Sequence, residues 1–308
     1  MPKLDFDLER DVPELTGKVL LITGGTNGLG AAAARLLASR NPAKIYITGR
    51  KQDAAQQTLS RLRSTGTKAG LDWIRCDHDS LESVKQAADK ILAQESRLDV
   101  LMANAGVMAL PPGLTSDGYE VHFGINHVAH ALWIRKLLPL LQKTAREHGE
   151  ARIIPISSLA LAVAPRGYGI VFDDLKTTQD YWVLGKWQRY AQSKLANLLY
   201  GRELARRYPE ILTLVVDPGP SSTGLVTSLG FHDKLVVYLG NIGKYLEDGQ
   251  GHWNQVWAVG VPKDKARQGE LYEPVGVPSR SYTPFCVDEK LAARLWDWTE
   301  EELKPWLA

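Results

Sequence analysis

The sequence predicts an α/β fold in which a doubly wound parallel β-sheet lies between two layers of helices. Two observations predict it: short apolar runs alternate with longer helical patterns, and each run is apolar at successive positions rather than at every second one. Strands buried on both faces have this pattern, because helices cover both sides of a parallel sheet. Since no linker or break in composition divides the 308 residues, we expect one three-layer α/β/α domain over 1–308.

Six apolar runs are predicted strands, and helices lie between and after them. The strands are expected at 18–23, 44–48, 70–76, 98–104, 151–157 and 212–217. A long helix is predicted to begin near Asp117, because Asp117 and Glu120 have the spacing of a capping box. Another helix begins in the stretch RYAQSKLAN, where apolar residues recur at helical spacing. Residues 220–308 have the least regular pattern and are expected to hold substrate-facing loops.

Composition and charge argue against several classes of partner and location. With 37 basic and 35 acidic side chains, the net charge of +2 gives no reason to expect nucleic acid as a partner. Two cysteines are too few for a disulfide framework and suit a reducing compartment. The amino terminus lacks the apolar core of a signal peptide, and no run approaches the roughly 18 apolar residues of a membrane span. We therefore expect a cytoplasmic protein.

The loop TGGTNGLG, from Thr23 to Gly30, separates the first strand from its helix. Glycines there permit a tight turn and let backbone N–H groups and the helix amino terminus approach a pyrophosphate. The order of strand, loop, helix and second strand is Rossmann-like, although a plain turn would also need glycine. The residues predicted to contact this part of a dinucleotide are Gly24, Thr26, Asn27, Gly28, Leu29 and Gly30.

Two cations, Arg50 and Lys51, follow the second strand, about 20 residues beyond the glycine loop. In dinucleotide folds an acidic residue at this place binds the ribose 2′-hydroxyl of NAD, whereas a cation accepts the 2′-phosphate of NADP. The pair therefore favours NADP (NADPH) as the cofactor. The alternative is two solvated charges at the start of a helix, where the helix dipole does not favour positive charge.

In these motifs the chain resembles the single-domain members of the short-chain dehydrogenase/reductase family. Their pattern Thr-Gly-x-x-x-Gly-x-Gly is matched from Thr23 to Gly30. The other motifs follow in the family's order up to residue 225, each at the end of the expected element. They are Asp77 after the third strand, Asn104-Ala105-Gly106 after the fourth, Asn126 in a helix, Ser158 after the fifth strand, Tyr190-x-x-x-Lys194, and Pro218-Gly219 after the sixth.

Within the family the chain is most similar to the retinol-dehydrogenase-like and WW-domain-oxidoreductase-like branch, and to fungal reductases of that type. The segments TSDGYEVHFGINHVAH, SKLANLLYGREL and GELYEPVG carry this resemblance. Ser158 and Tyr190 are further apart than in compact members, so residues 160–188 are read as an insertion. Microsomal members of the branch have an amino-terminal membrane anchor, which we do not expect here.

The resemblance implies a catalytic set of Asn126, Ser158, Tyr190 and Lys194. Tyr190 would be the acid and base, and the ammonium of Lys194, one helical turn away, is expected to lower the pKa of the phenol. Ser158 would donate a hydrogen bond to the substrate carbonyl, although a strand-end hydroxyl also caps backbone and Ser157 could equally do so. Asn126 would hold a water in a proton relay to Lys194, unless it is a polar residue that faces solvent.

Residues of several loops and of the catalytic helix would contact the cofactor, if the resemblance holds. Those expected on the adenosine side are Asn104, Ala105, Gly106, Asp77 and His78. Those expected at the nicotinamide carboxamide are Pro218, Gly219 and Thr223. Tyr190 and Lys194 complete the set, with Lys194 binding the nicotinamide ribose.

A metal site and a hydrolase site are less well supported. Three histidines, His122, His127 and His130, lie in one predicted helix, but only the last two come close to facing each other. The sequence has no His-Glu-x-x-His motif, no cysteine pair and no Gly-x-Ser-x-Gly elbow, so we predict no metal. The carboxyl-terminal stretch DEKLAARLWDWTEEELKPWLA could bind a partner as an amphipathic helix, but packing against its own domain is the simpler account.

The motifs together predict an NADP-dependent ketoreductase that transfers a hydride between the nicotinamide and a carbonyl or alcohol. Segments 160–188 and 220–260 would shape its pocket. Their aromatic residues suggest a bulky apolar or aromatic small molecule, such as an intermediate of secondary metabolism, although aromatic residues also pack in cores. These residues are Tyr168, Trp182, Trp187, Phe231, Tyr238 and Trp253.

Two other functions are compatible with the same fold. A non-catalytic NADP-binding sensor or regulatory protein is one, although it has no chemical need of the serine, tyrosine and lysine set. An internal epimerase or dehydratase cycle is the other, but the glycine spacing is that of the single-domain reductases. Family members are commonly dimers or tetramers through two long helices, so we expect a homodimer or homotetramer.

Overall fold

A computed structural model describes residues 6–219 and 250–307 of the chain. The strands of its main sheet are β1 (Val19–Ile22), β2 (Lys44–Gly49), β3 (Gly70–Arg75), β4 (Val100–Ala103), β5 (Arg152–Pro155) and β6 (Leu212–Thr213). They lie in the order β3-β2-β1-β4-β5-β6, and every neighbouring pair is parallel. The order reverses between β1 and β4, which confirms the predicted doubly wound sheet.

Helices cover both faces of this sheet. The α-helices are α1 (Leu8–Asp11), α2 (Gly28–Ala38), α3 (Gln52–Arg63), α4 (Leu81–Gln94), α5 (Val121–Phe123), α6 (Ala129–His148), α7 (Gly185–Arg207), α8 (Trp253–Gly260) and α9 (Glu289–Leu307). Successive strand residues point to opposite faces. Leu21 and Leu101 therefore pack with α4, α6 and α7, whereas Leu20 and Met102 pack with α2 and α8. The burial of both faces explains why the central strands β1 and β4 are apolar throughout.

The sixth apolar run is one predicted strand but two observed ones. Only β6 joins the main sheet, and the next two residues form β7 (Val215–Val216) in a second sheet. This sheet continues with β8 (Leu271–Glu273), parallel to β7, and β9 (Val277–Pro278), antiparallel to β8. The partners of β7 lie in the least regular part of the sequence, where no strand was expected. Val216 still forms a parallel bridge with Ile156, just beyond β5, so β7 connects the edge of the main sheet to the second sheet directly before the predicted Pro218-Gly219 turn.

The long helix does not begin near Asp117, so the predicted capping box is wrong. The helical segment begins at Val121, where the Glu120 carboxylate accepts a hydrogen bond from the N–H of Phe123 at 2.8 Å. Asp117 instead accepts a hydrogen bond from the N–H of Leu81, the first residue of α4, at 2.7 Å. The sequence spacing of a capping box was present, but the carboxylate serves a helix that is distant in sequence.

The carboxyl-terminal helix α9 packs against its own chain, over α6 and α7. Its Leu295, Trp296 and Leu303 are buried in the same core as those two helices. Trp296 stacks on Tyr200 of α7 with ring centres 4.9 Å apart. Among residues 6–219 and 250–307, no helix combines the length and apolar character that crossing a membrane requires.

Replacement of Asp117 by alanine should destabilise the fold, because the first N–H of α4 loses its acceptor and the helix amino terminus loses a negative charge. A lost cap of this kind costs about 1 kcal/mol. Urea unfolding of the parent and of Asp117→Ala measures this loss of stability. The control is Asp53→Ala, which removes an exposed carboxylate from the first turn of α3 and should change stability by only about 0.5 kcal/mol. Equal losses in the two variants would contradict the assignment.

Candidate active site

A cavity of about 400 Å³ lies at the carboxyl ends of β1, β4 and β5. It is next to the point where the strand order reverses, which is where open α/β sheets bind ligands. Most of the predicted cofactor contacts line it: Gly24, Thr26, Asn27, Gly28, Leu29, Gly30, Arg50, Asp77, His78, Asn104, Ala105, Gly106, Tyr190, Lys194 and Pro218. The topology thus brings together residues that are far apart in the sequence.

Five predicted site residues have other positions. Lys51 is exposed at the residue before α3, and Gly219 follows Pro218 at the limit of the described segment. Asn126 is fully buried behind the cavity, and Ser158 is half-buried at the end of β5. Thr223 lies outside the described residues.

The glycine loop lies so close to the loop after β4 that side chains are excluded. A Cβ at Gly24 would come within 2.9 Å of the Cα of Ala105, and Gly24 has a φ of +64°. A Cβ at Gly30 would lie 2.5 Å from Nδ2 of Asn104. Asn27 caps α2 by accepting the N–H of Gly28 at 2.8 Å. Backbone N–H groups at the amino terminus of α2 therefore border the cavity, where a phosphate would be favoured.

Arg50 and His78 both line the cavity but differ in their exposure to solvent. Arg50 lines the cavity and is exposed to solvent, so its guanidinium can reach a ligand without losing a buried partner. His78 is buried, and its Nε2 accepts a hydrogen bond from Nε1 of Trp133 at 3.1 Å. Burial lowers the pKa of His78 to about 4, so the ring is neutral at pH 7.

Tyr190 and Lys194 lie one turn apart on α7. The Nζ atom of Lys194 is 5.7 Å from the centre of the Tyr190 ring and donates a hydrogen bond to the carbonyl of Ile156 at 3.0 Å. The Ser158 Oγ accepts the N–H of Ala160 at 3.2 Å, and the Ser158 hydroxyl lies near enough to the Tyr190 phenol to favour the phenolate. Ser158 therefore combines the capping contact with the contact to the phenol.

Ser157, the alternative to Ser158, has a different partner. Its hydroxyl donates to the main-chain carbonyl of Lys194 at 2.8 Å and is buried. This bond ties the end of β5 to α7. The geometry therefore assigns the contact with Tyr190 to Ser158 and a backbone contact to Ser157.

Asn126 does not face solvent. It lies in a π-helical turn, Gly124–Val128, that joins α5 to α6, and it is fully buried. Its side chain makes two hydrogen bonds with the main chain of Val107, at 2.8 and 3.0 Å, and donates a third to Oγ of Ser193 at 2.9 Å. Its main-chain carbonyl accepts from Nδ1 of His130 at 2.9 Å. The side chain holds the loop after β4 against α7, and the relay water stays a prediction.

Comparison with known proteins identifies the family. A profile of the short chain dehydrogenase family matches residues 18–169. A short-chain dehydrogenase/reductase of Aspergillus calidoustus is 32% identical in an alignment that covers 98% of both chains. The chain belongs to the short-chain dehydrogenase/reductase family. Membership confirms the predicted family and the prediction of an oxidoreductase.

Other relatives agree in fold or in sequence. Polyprenol dehydrogenase of Homo sapiens is 30% identical over 94% of this chain and 86% of its own length. A solved structure from Mycobacterium paratuberculosis is 26% identical, covers 95% of both chains and has a TM-score of 0.72. A blue fluorescent protein from a metagenomic library, solved in complex with NADPH, is 27% identical over 85% of this chain and 98% of its own, with a TM-score of 0.64.

Burial dominates the electrostatics of this dehydrogenase/reductase site. Desolvation raises the pKa of the Tyr190 phenol above its ordinary value, while the nearby Ser158 hydroxyl opposes the rise. The predicted lowering of this pKa by Lys194 is therefore not what the structure shows. Burial also lowers the pKa of Lys194 to about 8, while the negative charge of Asp217 opposes that change.

Asp217 and Gln255 were missed in the sequence, and the buried contacts of Thr23, which is part of the glycine motif, were not foreseen. Asp217 is buried beside the site, and desolvation raises its pKa to about 7. Its position before Pro218 was the available signal. Gln255 donates to Oδ1 of Asn104 at 2.7 Å, and nothing in the irregular pattern around it indicated that contact.

The predicted aromatic pocket is not observed among the described residues. None of the predicted aromatic residues lines the cavity: Trp187 is buried, Tyr168 and Trp182 are exposed, and Trp253 packs on Phe6. Phe231 and Tyr238 lie outside the described residues. Within the described ranges no group of three or more histidine, cysteine or acidic side chains is arranged to hold a metal ion.

Asp217→Asn should change how stability depends on pH. The folded-state pKa of about 7 lies above the unfolded value, so the folded state binds this proton more tightly and loses stability as pH rises from about 4 to 7. The asparagine variant lacks this loss. Between pH 5 and 8, its free energy of unfolding should therefore rise relative to that of the parent by on the order of 2 to 4 kcal/mol.

Urea unfolding of both proteins at several pH values tests the expectation. Asp173→Asn removes an exposed carboxylate and should keep the parent's pH dependence. A constant difference between parent and Asp217→Asn over this pH range would contradict the expectation.

Proposed function

We propose that this enzyme transfers a hydride between NADP and the carbonyl or alcohol carbon of a bulky apolar or aromatic small molecule, with Tyr190 as acid and base. The observation that carries the proposal is that Tyr190 and Lys194 line the cavity together, with the Lys194 Nζ atom 5.7 Å from the centre of the phenol ring and the Ser158 hydroxyl near the phenol. A hydroxyl, a phenol and an ammonium are the groups that a carbonyl reduction uses to handle the oxygen.

NADP is the cofactor, and the cavity fits it. Gly24 and Gly30 line the cavity, and a Cβ at either would collide with Ala105 or Asn104, so only glycine keeps the backbone in the position from which it can approach a pyrophosphate. Arg50 lines the cavity and can pair with a 2′-phosphate. The relative solved in complex with NADPH supports this choice.

The chain's own residues account for the proton and for the charge on the oxygen. When bound, NADPH supplies the hydride that reaches the carbonyl carbon. Tyr190 gives its phenolic proton to the carbonyl oxygen, and the Ser158 hydroxyl donates a hydrogen bond to that oxygen as negative charge develops. The Lys194 ammonium then favours the phenolate that remains, until a proton from water restores the phenol.

The free site holds the Tyr190 phenol in its protonated form. Burial raises the pKa of Tyr190, so its phenol holds its proton at pH 7 and is ready to donate it. Oxidation of an alcohol would need the phenolate, which this environment disfavours. The raised pKa is a direct consequence of the burial of the phenol.

The substrate class rests on the insertion at 160–188 and on the relatives. The insertion presents Tyr168 and Trp182 at the surface, with Trp182 98% exposed, and such rings are available to an apolar ligand. One relative is named for the oxidation of a polyprenol, and several fungal relatives are short-chain dehydrogenase/reductases. We include an intermediate of secondary metabolism in the proposed class.

The proposal extends to the domain organisation, the location and the oligomeric state of the enzyme. We treat 1–308 as one cofactor-binding domain of a cytoplasmic homodimer or homotetramer. Because α9 packs on α6 and α7, an interface through those helices would use the faces that α9 leaves exposed. Light scattering of the purified chain measures the assembly.

Tyr190→Phe should lower turnover by roughly 10²- to 10⁴-fold, because the proton donor is lost. The measurement is NADPH oxidation with a panel of bicyclic and long-chain ketones and aldehydes. NADPH affinity, followed by fluorescence, should change little. Tyr200→Phe is the control, since it removes a buried hydroxyl from the same helix, away from the cavity.

Undiminished turnover in Tyr190→Phe would refute the mechanism. If the parent protein binds NADPH tightly but turns over no carbonyl compound, the alternative function of a non-catalytic NADP-binding sensor would be favoured. The two outcomes are separate, since the first needs an active parent and the second an inactive one.

Arg50→Ala should weaken NADPH binding by roughly 10- to 100-fold and leave NADH binding nearly unchanged, because a charge-assisted contact with the 2′-phosphate is lost. Lys51→Ala should weaken NADPH binding less, because Lys51 is not one of the described residues that line the cavity. Fluorescence titration of both cofactors measures this. A clear preference of the parent for NADH would overturn the role given to these cations.

A further inference from the structure

A buried group of charged and amide side chains lies beside Tyr190, outside the catalytic set. Its members are each at most 3% exposed: Glu120, His122, Gln179, Arg189 and Gln192. Arg189 directly precedes Tyr190 on α7, and the His122 ring lies edge-on to the Tyr190 ring with centres 6.4 Å apart. A charged side chain is rarely buried to this degree unless the groups around it satisfy it.

The Arg189 guanidinium joins two loops to the catalytic helix. One terminal nitrogen donates to the carbonyl of Gln179 at 2.9 Å, and the other donates to the carbonyl of Leu110 at 3.0 Å. Its Nε lies 3.2 Å from the Glu120 carboxylate. Leu110 belongs to the loop after β4, and Gln179 belongs to the insertion before α7. The planar, forked guanidinium hydrogen-bonds both carbonyls at once, and its charge pairs with the Glu120 carboxylate without a hydrogen bond from Nε.

Both loops contain a strained residue next to, or at, the carbonyl that Arg189 binds. Ala109 has a φ of +53° and Gln179 a φ of +46°, in the left-handed region that residues other than glycine seldom adopt. Such strain persists only where the surroundings fix the conformation. The charge-assisted bonds from Arg189 are a sufficient cause at both places.

Further hydrogen bonds extend the group on each side. Nε2 of His122 accepts the N–H of Leu110 at 3.0 Å, so Nδ1 carries the proton and donates to Glu120 at 2.8 Å. The Gln192 amide donates to the side chain of Gln179 at 3.0 Å and accepts the N–H of Val171 at 2.7 Å. The His122 bonds help to fix the loop after β4, and the Gln192 bonds help to fix the insertion.

We infer that Arg189 is a positioning residue that holds residues 107–114 and 171–184 as preformed walls of the substrate cleft beside Tyr190. Val107, at the start of the first segment, already lines the cavity. Because the strained loops are fixed before a ligand arrives, the cleft needs no closing motion of these two segments to form. The substrate role rests on the proposed hydride transfer, whereas the clamp itself can be measured without a substrate.

Hydrogen–deuterium exchange of the full chain, read by mass spectrometry, tests the clamp. Arg189→Lys keeps the charge but loses the fork, so segments 107–114 and 171–184 should both exchange about 10- to 100-fold faster. Strands β1 and β4 should be unchanged, and NADPH affinity should stay within about twofold. Arg207→Lys on the same helix, where the guanidinium pairs with Glu203, is the matched control and should alter neither segment.

Gln192→Leu keeps the inference falsifiable if Arg189→Lys does not fold, and Ala109→Gly adds a second test if it does. Gln192→Leu should speed exchange in 171–184 alone, because Gln192 contacts that segment and not 107–114. Ala109→Gly relieves the strain and should partly restore protection of 107–114 in the Arg189→Lys background. Unchanged exchange in Arg189→Lys, or acceleration that spreads into β1 and β4, would overturn the positioning role. For Gln192→Leu, the overturning results are unchanged exchange or acceleration in both segments.

Discussion

The hydroxyl of Thr23 is the contact on which the site depends. It is fully buried at the end of β1, where it accepts the N–H groups of Asn104 and Ala105 at 2.8 and 3.0 Å and meets Nε2 of His130 at 2.9 Å. Because Nδ1 of His130 faces the carbonyl of Asn126, that nitrogen must carry the ring proton, and Nε2 accepts from Thr23. Burial lowers the pKa of His130, which keeps the ring neutral and this direction fixed. One hydroxyl therefore fixes β1, β4 and α6 relative to one another.

This contact explains why the glycine pattern is so strict. Once Thr23 draws the loop after β4 against the end of β1, the backbone at Gly24 lies against Ala105 and α2 begins beside Asn104. Side chains at these positions would push the two loops apart before any ligand arrived. The glycines thus serve packing and ligand approach together. Phosphate binding at the amino terminus of α2 is a consequence of that close approach.

Local and periodic features were predictable from the sequence, and long-range partners were not. The strands, the glycine loop and the Tyr190 and Lys194 pair follow from periodicity and motif order, because each is decided within one or two turns of chain. The partner of Asp117 and the strands that pair with β7 depend on contacts between distant segments. The pKa of Tyr190 was predicted in the wrong direction, since spacing shows which charge is near but not how much water is removed.

The balance between burial and charge sets the protonation states of Tyr190 and Lys194 in the proposed mechanism. In a dry site, a neutral phenol and a neutral amine are both favoured over their charged forms, and the pKa values of Tyr190 and Lys194 move accordingly. Asp217 raises both values, since a negative charge opposes the phenolate and favours the ammonium. The site thus holds a proton on each group near neutral pH. A carbonyl oxygen that gains negative charge beside Ser158 and Tyr190 is met by hydrogen-bond donors with a cation behind them, which is the arrangement that reduction requires.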